Sequence, residues 1–283
     1  YAAYHKGYYK DEGIDLEIIL MSLAAANNAF LKGEIDYSAA LTGLALAAVR
    51  NYPAKILIFT IEKPLQSFMS RKEIKAPHDL KGKKVAGSSP GGSATILAYH
   101  ALKHFGLEPG KDVQVLPMGG SGAGRLAVLE QGVVDASLLS VPEIILALNK
   151  GYNELIFLGD VVTFPQNGIG TSVARIQQHP DEVYRMVRAT LRGLRFVTDD
   201  ANRDQARDIM MKQWRISDTK LAGEMLGYLN RGLAKDAVIT TEAVQYFVDL
   251  TRETSNVTQP ISAGQVADFS FLEKARKDLA KFR

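Results

Sequence analysis

Leu31–Ala45 reads LKGEIDYSAALTGLA, and ninety-nine residues later Leu129–Glu143 reads LEQGVVDASLLSVPE. Both carry the frame G-x-(I/V)-D-x-S, with Gly33, Asp36 and Ser38 falling on Gly132, Asp135 and Ser137. In the first copy a helix ends at Lys32 and Gly33 stops it, since a residue just past a helix end often takes positive φ, which glycine adopts without strain. Ile35 to Ala40 is short and mostly small or apolar, as a strand covered on both faces should be. Thr42-Gly43 sits where that strand gives way to the next helix.

The same order of elements surrounds each copy. Before the first, Gly13 to Met21 begins with alternating apolar and polar residues, the period of a strand, and Ser22 suits the cap of a helix over Leu23–Lys32. After it come a helix from Thr42 to Arg50 and a β-rich run, Lys55–Thr60. Around the second copy, Lys83–Gly87 reads as a strand, Ala94–Phe105 as a helix, Asp112–Pro117 as a strand and Ala123–Gln131 as a helix. A helix ending near Lys150 and a strand over Glu154–Leu158 follow. Gly151-Tyr152 answers Asn51-Tyr52. Two such units predict an α/β protein of two lobes with parallel-rich central sheets, because parallel neighbours need crossover helices. From Pro180 on the pattern is helical: Pro180–Thr198, Arg203–Trp214, Asp218–Asn230 and Glu242–Arg252. These helices have no strands of their own, and are expected to pack on the first lobe and make it discontinuous.

Composition narrows the function. The 283 residues are 46% hydrophobic and 23% charged, with 34 basic and 31 acidic side chains giving +3. The charges are dispersed, which argues against a nucleic-acid partner. The longest apolar runs, such as Ala39–Val49, fall short of the roughly 20 residues that span a bilayer. No leader is legible, as in a processed chain. Cysteine is absent, which excludes thiol catalysis and cysteine-held metals.

In open α/β sheets ligands bind beyond the carboxyl ends of the strands, where loops enter helices. Small polar residues recur at those junctions: Ser22, Thr42, Ser88 to Ser93, Ser121 and Ser140. Each also suits a plain helix cap, and Ser140-Val141-Pro142-Glu143 has the spacing of a capping box in which Glu143 bonds back to Ser140. Gly122-x-Gly124-x-x-Ala127 is a loose dinucleotide fingerprint whose acidic partner is poorly placed, and there is no P-loop. His100 and His104 lie one turn apart with no third ligand nearby, so no metal or cofactor is expected. Asp36 and Asp135 read as structural ends of strands. Arg71 and Arg125, the charges nearest the predicted loops, read as solvated or lobe-bridging. No nucleophile–base or paired-carboxylate arrangement assembles. The pattern is that of a binder.

Asp79-Leu80-Lys81-Gly82-Lys83-Lys84-Val85 resembles the stretch that opens the second lobe of type II periplasmic solute-binding proteins of ABC transporters. More narrowly, the chain resembles the branch named for alkanesulfonate-, nitrate- and thiamine-precursor-binding proteins (SsuA/THI5-like, or NMT1). Its marks are Ala3-x-x-Lys6-Gly7-Tyr8-Tyr9-x-x-Glu12-Gly13-Ile14-Asp15-Leu16, Gly33-Glu34-Ile35-Asp36, Pro77-x-Asp79-Leu80, Gly106-Leu107-x-Pro109-x-x-Asp112-Val113 and Gly132-Val133-Val134-Asp135-Ala136. Where many relatives have Glu-Pro after the strand at Val134–Leu139, this chain has Pro142-Glu143.

The resemblance implies a type II periplasmic binding fold. Lobe 1 is expected at 1–66 and 170–283 and lobe 2 at 67–169, closing on a ligand cleft by hinges near Glu62–Ser70 and Thr163–Thr171. It implies a monomer outside the cytoplasmic membrane, tied to it only through the transporter or a lipid anchor. There it would capture a small polar or anionic molecule and deliver it to the permease. Sulfonates, nitrate, aromatic carboxylates, pyrimidines and flavin-like heterocycles are the ligand candidates, with the scarcity of arginine in the loops weighing against a highly charged anion. Expected contacts are Ser22, Thr42, Gly43, Thr60, Ser88, Ser89, Gly91, Gly92, Ser93, Gly120, Ser121, Ser140, Glu143 and Asn167. An enzyme or a ligand-sensing module on the same scaffold is the alternative.

Overall fold

The computed structural model describes residues 1–88, 93–118, 121–254 and 257–281. In chain order, helices α1 (Ala2–His5), α2 (Tyr8–Asp11) and α3 (Leu23–Lys32) precede strand β1 (Tyr37–Ser38), α4 (Leu41–Val49) and β2 (Ala54–Phe59). Next come β3 (Gln66–Ser70), β4 (Lys84–Gly87), α5 (Ser93–His104), β5 (Gln114–Pro117), α6 (Gly122–Glu130), β6 (Ala136–Ser140), α7 (Glu143–Asn149) and β7 (Asn153–Phe157). The chain ends with β8 (Gly168–Ser172), α8 (Val173–Gln178), α9 (Pro180–Thr198), α10 (Arg203–Trp214), α11 (Thr219–Asn230), α12 (Thr241–Thr254), α13 (Ala263–Val266) and α14 (Ser270–Ala280). It divides into two compact units: Tyr1–Glu62 with Phe164–Ala222 and Leu233–Arg283, and Lys63–Thr163 with Gly223–Gly232. The boundaries therefore differ from 1–66, 67–169 and 170–283. In particular, α11 begins in the first unit and its residues from Gly223 onward group with the second.

The repeated frame folds alike in both copies. Gly33 and Gly132 both take φ 73°, and each ends a helix by the same pair of bonds. Gly33 and Glu34 donate to the carbonyls of Phe30 (3.0 Å) and Ala29 (2.8 Å), and Gly132 and Val133 to those of Leu129 (3.2 Å) and Val128 (3.0 Å). The first strand is shorter than its sequence predicts, only Tyr37–Ser38.

Unit 1 holds a three-stranded sheet in the order β1-β8-β2, with β8 antiparallel to both neighbours. The parallel sheet expected here does not form, because β8 enters between the two strands that would have paired. A Cβ on Gly168 would lie 1.9 Å from the carbonyl oxygen of Ile58, and one on Gly170 would lie 2.6 Å from that of Lys55. Ile56, Leu57, Ile58 and Phe59 are wholly buried. Ile56 and Phe59 pack with Leu44, Val244 and Phe247, and Leu57 and Ile58 pack with Val183, Leu191 and Leu272. Both faces of β2 are thus covered, and burying each such side chain contributes about 1.5–3 kcal/mol. Ala3 and Tyr9 pack on α9, where Tyr9 hydroxyl bonds Thr190 Oγ1 at 2.9 Å. The buried Glu12 carboxylate accepts from Arg188 Nε at 2.7 Å.

Several expectations for the remaining segments fail. Residues 14–22 join no sheet among the described residues, and Ile19 and Leu20 stand exposed: alternation makes a strand only where an edge accepts its ladder bonds. Tyr8–Asp11 forms one more helical turn after Gly7. Gln66–Ser70, within the stretch expected to hold one hinge, is β3, whereas β8 at Gly168–Ser172 forms where Ile169–Ala174 reads as a strand in the sequence.

Unit 2 holds a five-stranded sheet in the order β5-β4-β6-β3-β7. β5, β4 and β6 run parallel, and β3 lies antiparallel between β6 and β7. Phe68, Val85, Ala98, Leu102 and Leu138 fill its core. The end of α11 is fixed to this sheet by polar groups. Tyr228 hydroxyl donates to Glu154 Oε1 at 2.6 Å, Ser67 Oγ touches both, and Arg231 Nη1 reaches Glu154 at 3.1 Å. Arg231 also stacks 4.0 Å over the Phe157 ring. Burial, then the neighbouring Glu154, pushes the Tyr228 phenol far above its ordinary pKa, so the hydroxyl stays protonated and donating.

Because β8 meets main chain at Gly168, Gly168→Ala should lower stability by about 2 kcal/mol or more. Thermal unfolding should show this as a fall in Tm of about 4 °C or more. Gly264→Ala, where a new Cβ meets nothing within 4 Å, should shift it by about 1 °C or less.

Candidate functional site

The parallel strands of unit 2 present their carboxyl ends to the first turns of α5 and α6. β4 runs out at Gly87-Ser88. A Cβ on Gly87 would lie 2.5 Å from Thr95 Oγ1, and that hydroxyl donates to the Ser88 carbonyl at 3.2 Å, tying the start of α5 to the strand end. Ser88 Oγ is buried with no hydrogen-bond partner among the described residues. Such a hydroxyl calls for a partner from outside, which it can meet as donor or as acceptor. The next strand, β6, is joined to β4 by Ser137 Oγ, which donates to the Ala86 carbonyl at 3.4 Å. Ser140 ends β6, half-buried and in register with Gln66.

Beside these ends, Ser121 Oγ caps α6 by accepting from Gly124 N–H at 3.3 Å. Arg125, one turn in, is only 8% exposed, and its Nε donates to the Leu138 carbonyl at 2.9 Å. Burial pulls its pKa down and the field of Glu143 raises it again. An arginine nonetheless stays charged, so the strand ends carry a buried cation with an adjacent carboxylate. Glu143 does not close the capping box that its spacing predicts. Pro142 is the residue before α7 and no side chain caps that helix. The Glu143 carboxylate turns instead onto Gly122, where a Cβ would lie 2.7 Å from Oε2 and 3.0 Å from Oε1.

Unit 2 thus gathers Ser88, Ser121, Ser140 and Glu143 around the ends of β4 and β6. Ser93 opens α5. Ser89, Gly91, Gly92 and Gly120 lie outside the described residues. Two neighbours were hidden from sequence reading. Arg125 is buried, not solvated, because the fourth residue after a cap in a helix following a strand faces back over the sheet. Gly122 is needed as a glycine by the Glu143 carboxylate, a contact no local pattern announces.

The residues chosen in unit 1 fall into separate places. Ser22 Oγ caps α3, accepting from Ala25 N–H at 3.3 Å. Thr42 is exposed in the first turn of α4, which begins after Ala40, so it is not the cap. Gly43 is buried where α3 meets α4, and a Cβ there would lie 1.7 Å from Asn27 Oδ1. Thr60 and Asn167 come together through backbone, Thr60 N–H donating to the Asn167 carbonyl at 2.6 Å. Asp36 pairs with Arg175, and Asp135 Oδ2 accepts from Lys84 N–H at 2.9 Å, so both aspartates tie their strands in place. Two open hollows of unit 1, one beside Tyr1 and Leu20 and one beside Lys6 and Lys235, involve none of the residues chosen.

Comparison with known proteins places these features in context. The family model described as NMT1/THI5 like matches residues 1–203. Riboflavin-binding protein RibY of Chloroflexus aurantiacus is 26% identical over 239 residues, 80% of this chain and 66% of that protein, just under two thirds of its length. The periplasmic aliphatic sulphonate binding protein SsuA of Escherichia coli superimposes with a TM-score of 0.73 over 94% of this chain and 87% of its own, at 19% identity. The desulfurization enzyme DszB superimposes with a TM-score of 0.68 over 100% of this chain and 95% of its own, at 17% identity. The fold is that of the type II periplasmic binding proteins. No helix among the described residues is long and apolar enough to cross a membrane.

If Arg125 neutralises its buried surroundings, Arg125→Met should cost about 2 kcal/mol by leaving the Leu138 carbonyl and Glu143 without it. Gly122→Ala should cost under about 1 kcal/mol, because the atoms it meets are the end of a flexible side chain. Urea unfolding of the two variants measures the difference.

Proposed function

The chain belongs to the NMT1/THI5-like family, and from that premise we propose that it is a solute-binding protein of an ABC import system. In this reading it acts as a monomer outside the cytoplasmic membrane, captures a small polar or anionic organic molecule, and delivers it to the transporter permease. The observation that carries the reading is the polar end of the unit 2 sheet, where the buried Ser88 Oγ after β4 has no partner among the described residues and Arg125, acted on by Glu143, bonds Leu138 of the neighbouring strand β6. A buried polar atom without a partner is costly, and a ligand donor or acceptor satisfies this hydroxyl.

The contacts in unit 2 are Ser88, Ser89, Gly91, Gly92, Ser93, Gly120, Ser121, Ser140 and Glu143. A second set, Ser22, Thr42, Gly43, Thr60 and Asn167, belongs to unit 1. Backbone N–H groups of the glycine-containing loops supply donors that side chains do not. A dissociation constant near 1 μM requires roughly 8 kcal/mol, within reach of a few enclosed donors and buried apolar area. Riboflavin-binding and sulphonate-binding proteins among the similar proteins support the class of function. DszB is an enzyme on the same fold; in the reading proposed here the residues gathered at the strand ends bind a solute without turnover.

A thermal-shift screen over sulfonates, nitrate, aromatic carboxylates, pyrimidines and riboflavin, followed by calorimetry, tests the proposal. At least one class should raise Tm and bind with micromolar or tighter affinity, and the recovered ligand should be chemically unchanged. Ser88→Ala should weaken that binding about tenfold, which is about 1.4 kcal/mol, while Ser217→Ala, far along the helical segment, should leave it alone. Equal effects from the two variants would remove the site assignment.

A further inference from the structure

Resting on the solute-binding reading and deepening it, we infer that Gln66 is a further ligand-binding residue, whose amide oxygen holds a hydroxyl or amine group of the solute at the end of the unit 2 sheet. The contact reads one donor group and is indifferent to the net charge of the solute.

The strand order puts Gln66 there. β3 runs antiparallel to β6, so its first residue stands level with the last residue of its neighbour, and Gln66 pairs in register with Ser140. β6 in turn pairs with β4, which runs out at Gly87. Three adjacent strands therefore meet at one end of the sheet, two by finishing and one by starting. Ligand contacts sought only where strands finish pass over the third. Residues directly opposite in an antiparallel pair share a face. Gln66 thus lies beside Ser140, on the face whose next pair is Phe68 and Leu138. That face packs with Ala94, Leu97 and Ala98 of α5.

β3 meets the needs of its other polar side chains from within the fold. Ser67 Oγ touches Tyr228 and Glu154, and Ser70 Oγ donates to the Ile74 carbonyl at 2.8 Å. Gln66 Oε1 is buried and has no hydrogen-bond partner among the described residues, as Ser88 Oγ has none at the end of β4. A buried amide oxygen without a donor is destabilising. Gln66 as a residue is only half-buried, so a molecule settling at the strand ends can reach it. The Ser88 hydroxyl can answer a ligand as donor or acceptor, whereas an amide oxygen only accepts. Gln66 is therefore the more selective of the two.

A polar group kept for a ligand holds the free protein below its best stability, and two measurements on the full chain use that. The first is thermal unfolding without ligand. Gln66→Met keeps the length and removes the amide, and should leave Tm unchanged within about 1 °C or raise it. Ser70→Ala removes a paired hydroxyl and should lower Tm by about 2 °C or more. The second is calorimetry with four donor-bearing probes of different classes: taurine, 4-hydroxybenzoate, uracil and riboflavin. Wild-type protein should bind at least one of them. Gln66→Met should weaken that probe by about tenfold or more, while Ser70→Ala leaves its affinity unchanged. Gln66→Asn, whose amide falls one methylene short, should also weaken it and serves if Gln66→Met fails to fold. A folded Gln66→Met or Gln66→Asn that binds as tightly as wild type would overturn the inference while leaving the solute-binding reading intact. So would a loss of Tm in Gln66→Met as large as that in Ser70→Ala. No heat from any of the four probes with folded wild-type protein would overturn the solute-binding reading, and the inference with it.

Discussion

Unit 1 has a sheet only because residues 168–172 return to it. β1 and β2 are not neighbours; the strand that pairs with both is β8, which arrives after the chain has traced β3 to β7, and Ile56 of β2 bridges to Ala267 as well. The main-chain N–H and C=O groups of Ala54–Phe59 are buried and need that partner. Gly168 and Gly170 let it in, since any side chain there would strike the carbonyls of Ile58 or Lys55. The hydrophobic faces of β2 then organise the rest of the unit, with α4 and α12 on one side and α9 and α14 on the other. A pairing between residues so far apart in sequence carries a loop-closure cost that only later contacts offset, which makes this unit a cooperative whole.

Unit 2 is held in a different way at its two ends. Where α11 joins the sheet, a protonated tyrosine, a serine and an arginine converge on Glu154. Where the parallel strands open toward α5 and α6, a buried arginine and a half-buried glutamate balance one another beside serine oxygens. Buried charge is tolerated only when it is paired and hydrogen-bonded, and both clusters meet that condition. The second also leaves acceptor capacity at an end of the sheet where ligands of open α/β proteins bind.

The duplicated sequence frame is real in its local geometry and misleading in its larger implication. Gly33 and Gly132 end their helices with the same hydrogen bonds, and Asn51 and Gly151 take positive φ at matching places. Yet the copy at Tyr37–Ser38 pairs antiparallel with β8 while the copy at Ala136–Ser140 pairs parallel with β4. A helix stop is decided within a few residues, whereas a strand's neighbour is decided by whatever other strand reaches its edge.

That difference marks the line between what the chain announces and what only its folding decides. Pro180–Thr198 and Arg203–Trp214 were readable to the residue from their periodicity and end signals, as were the glycine stops, the α/β alternation and the family marks, because each rests on contacts a few residues apart. β3 escaped reading: Gln66–Ser70 carries two serines that look like a connector until Ser67 finds Tyr228 and Glu154 and Ser70 finds the Ile74 carbonyl. The residues around the candidate site divide in the same way. Ser121 was legible as a cap. The burial of Arg125, the unpartnered oxygen of Ser88 and the turn of Glu143 onto Gly122 were not, because each depends on segments distant in sequence meeting at one end of a sheet. Local hydrogen bonding and periodicity are written in the sequence; burial, and the charge balance that follows from it, exist only once the tertiary structure has excluded water.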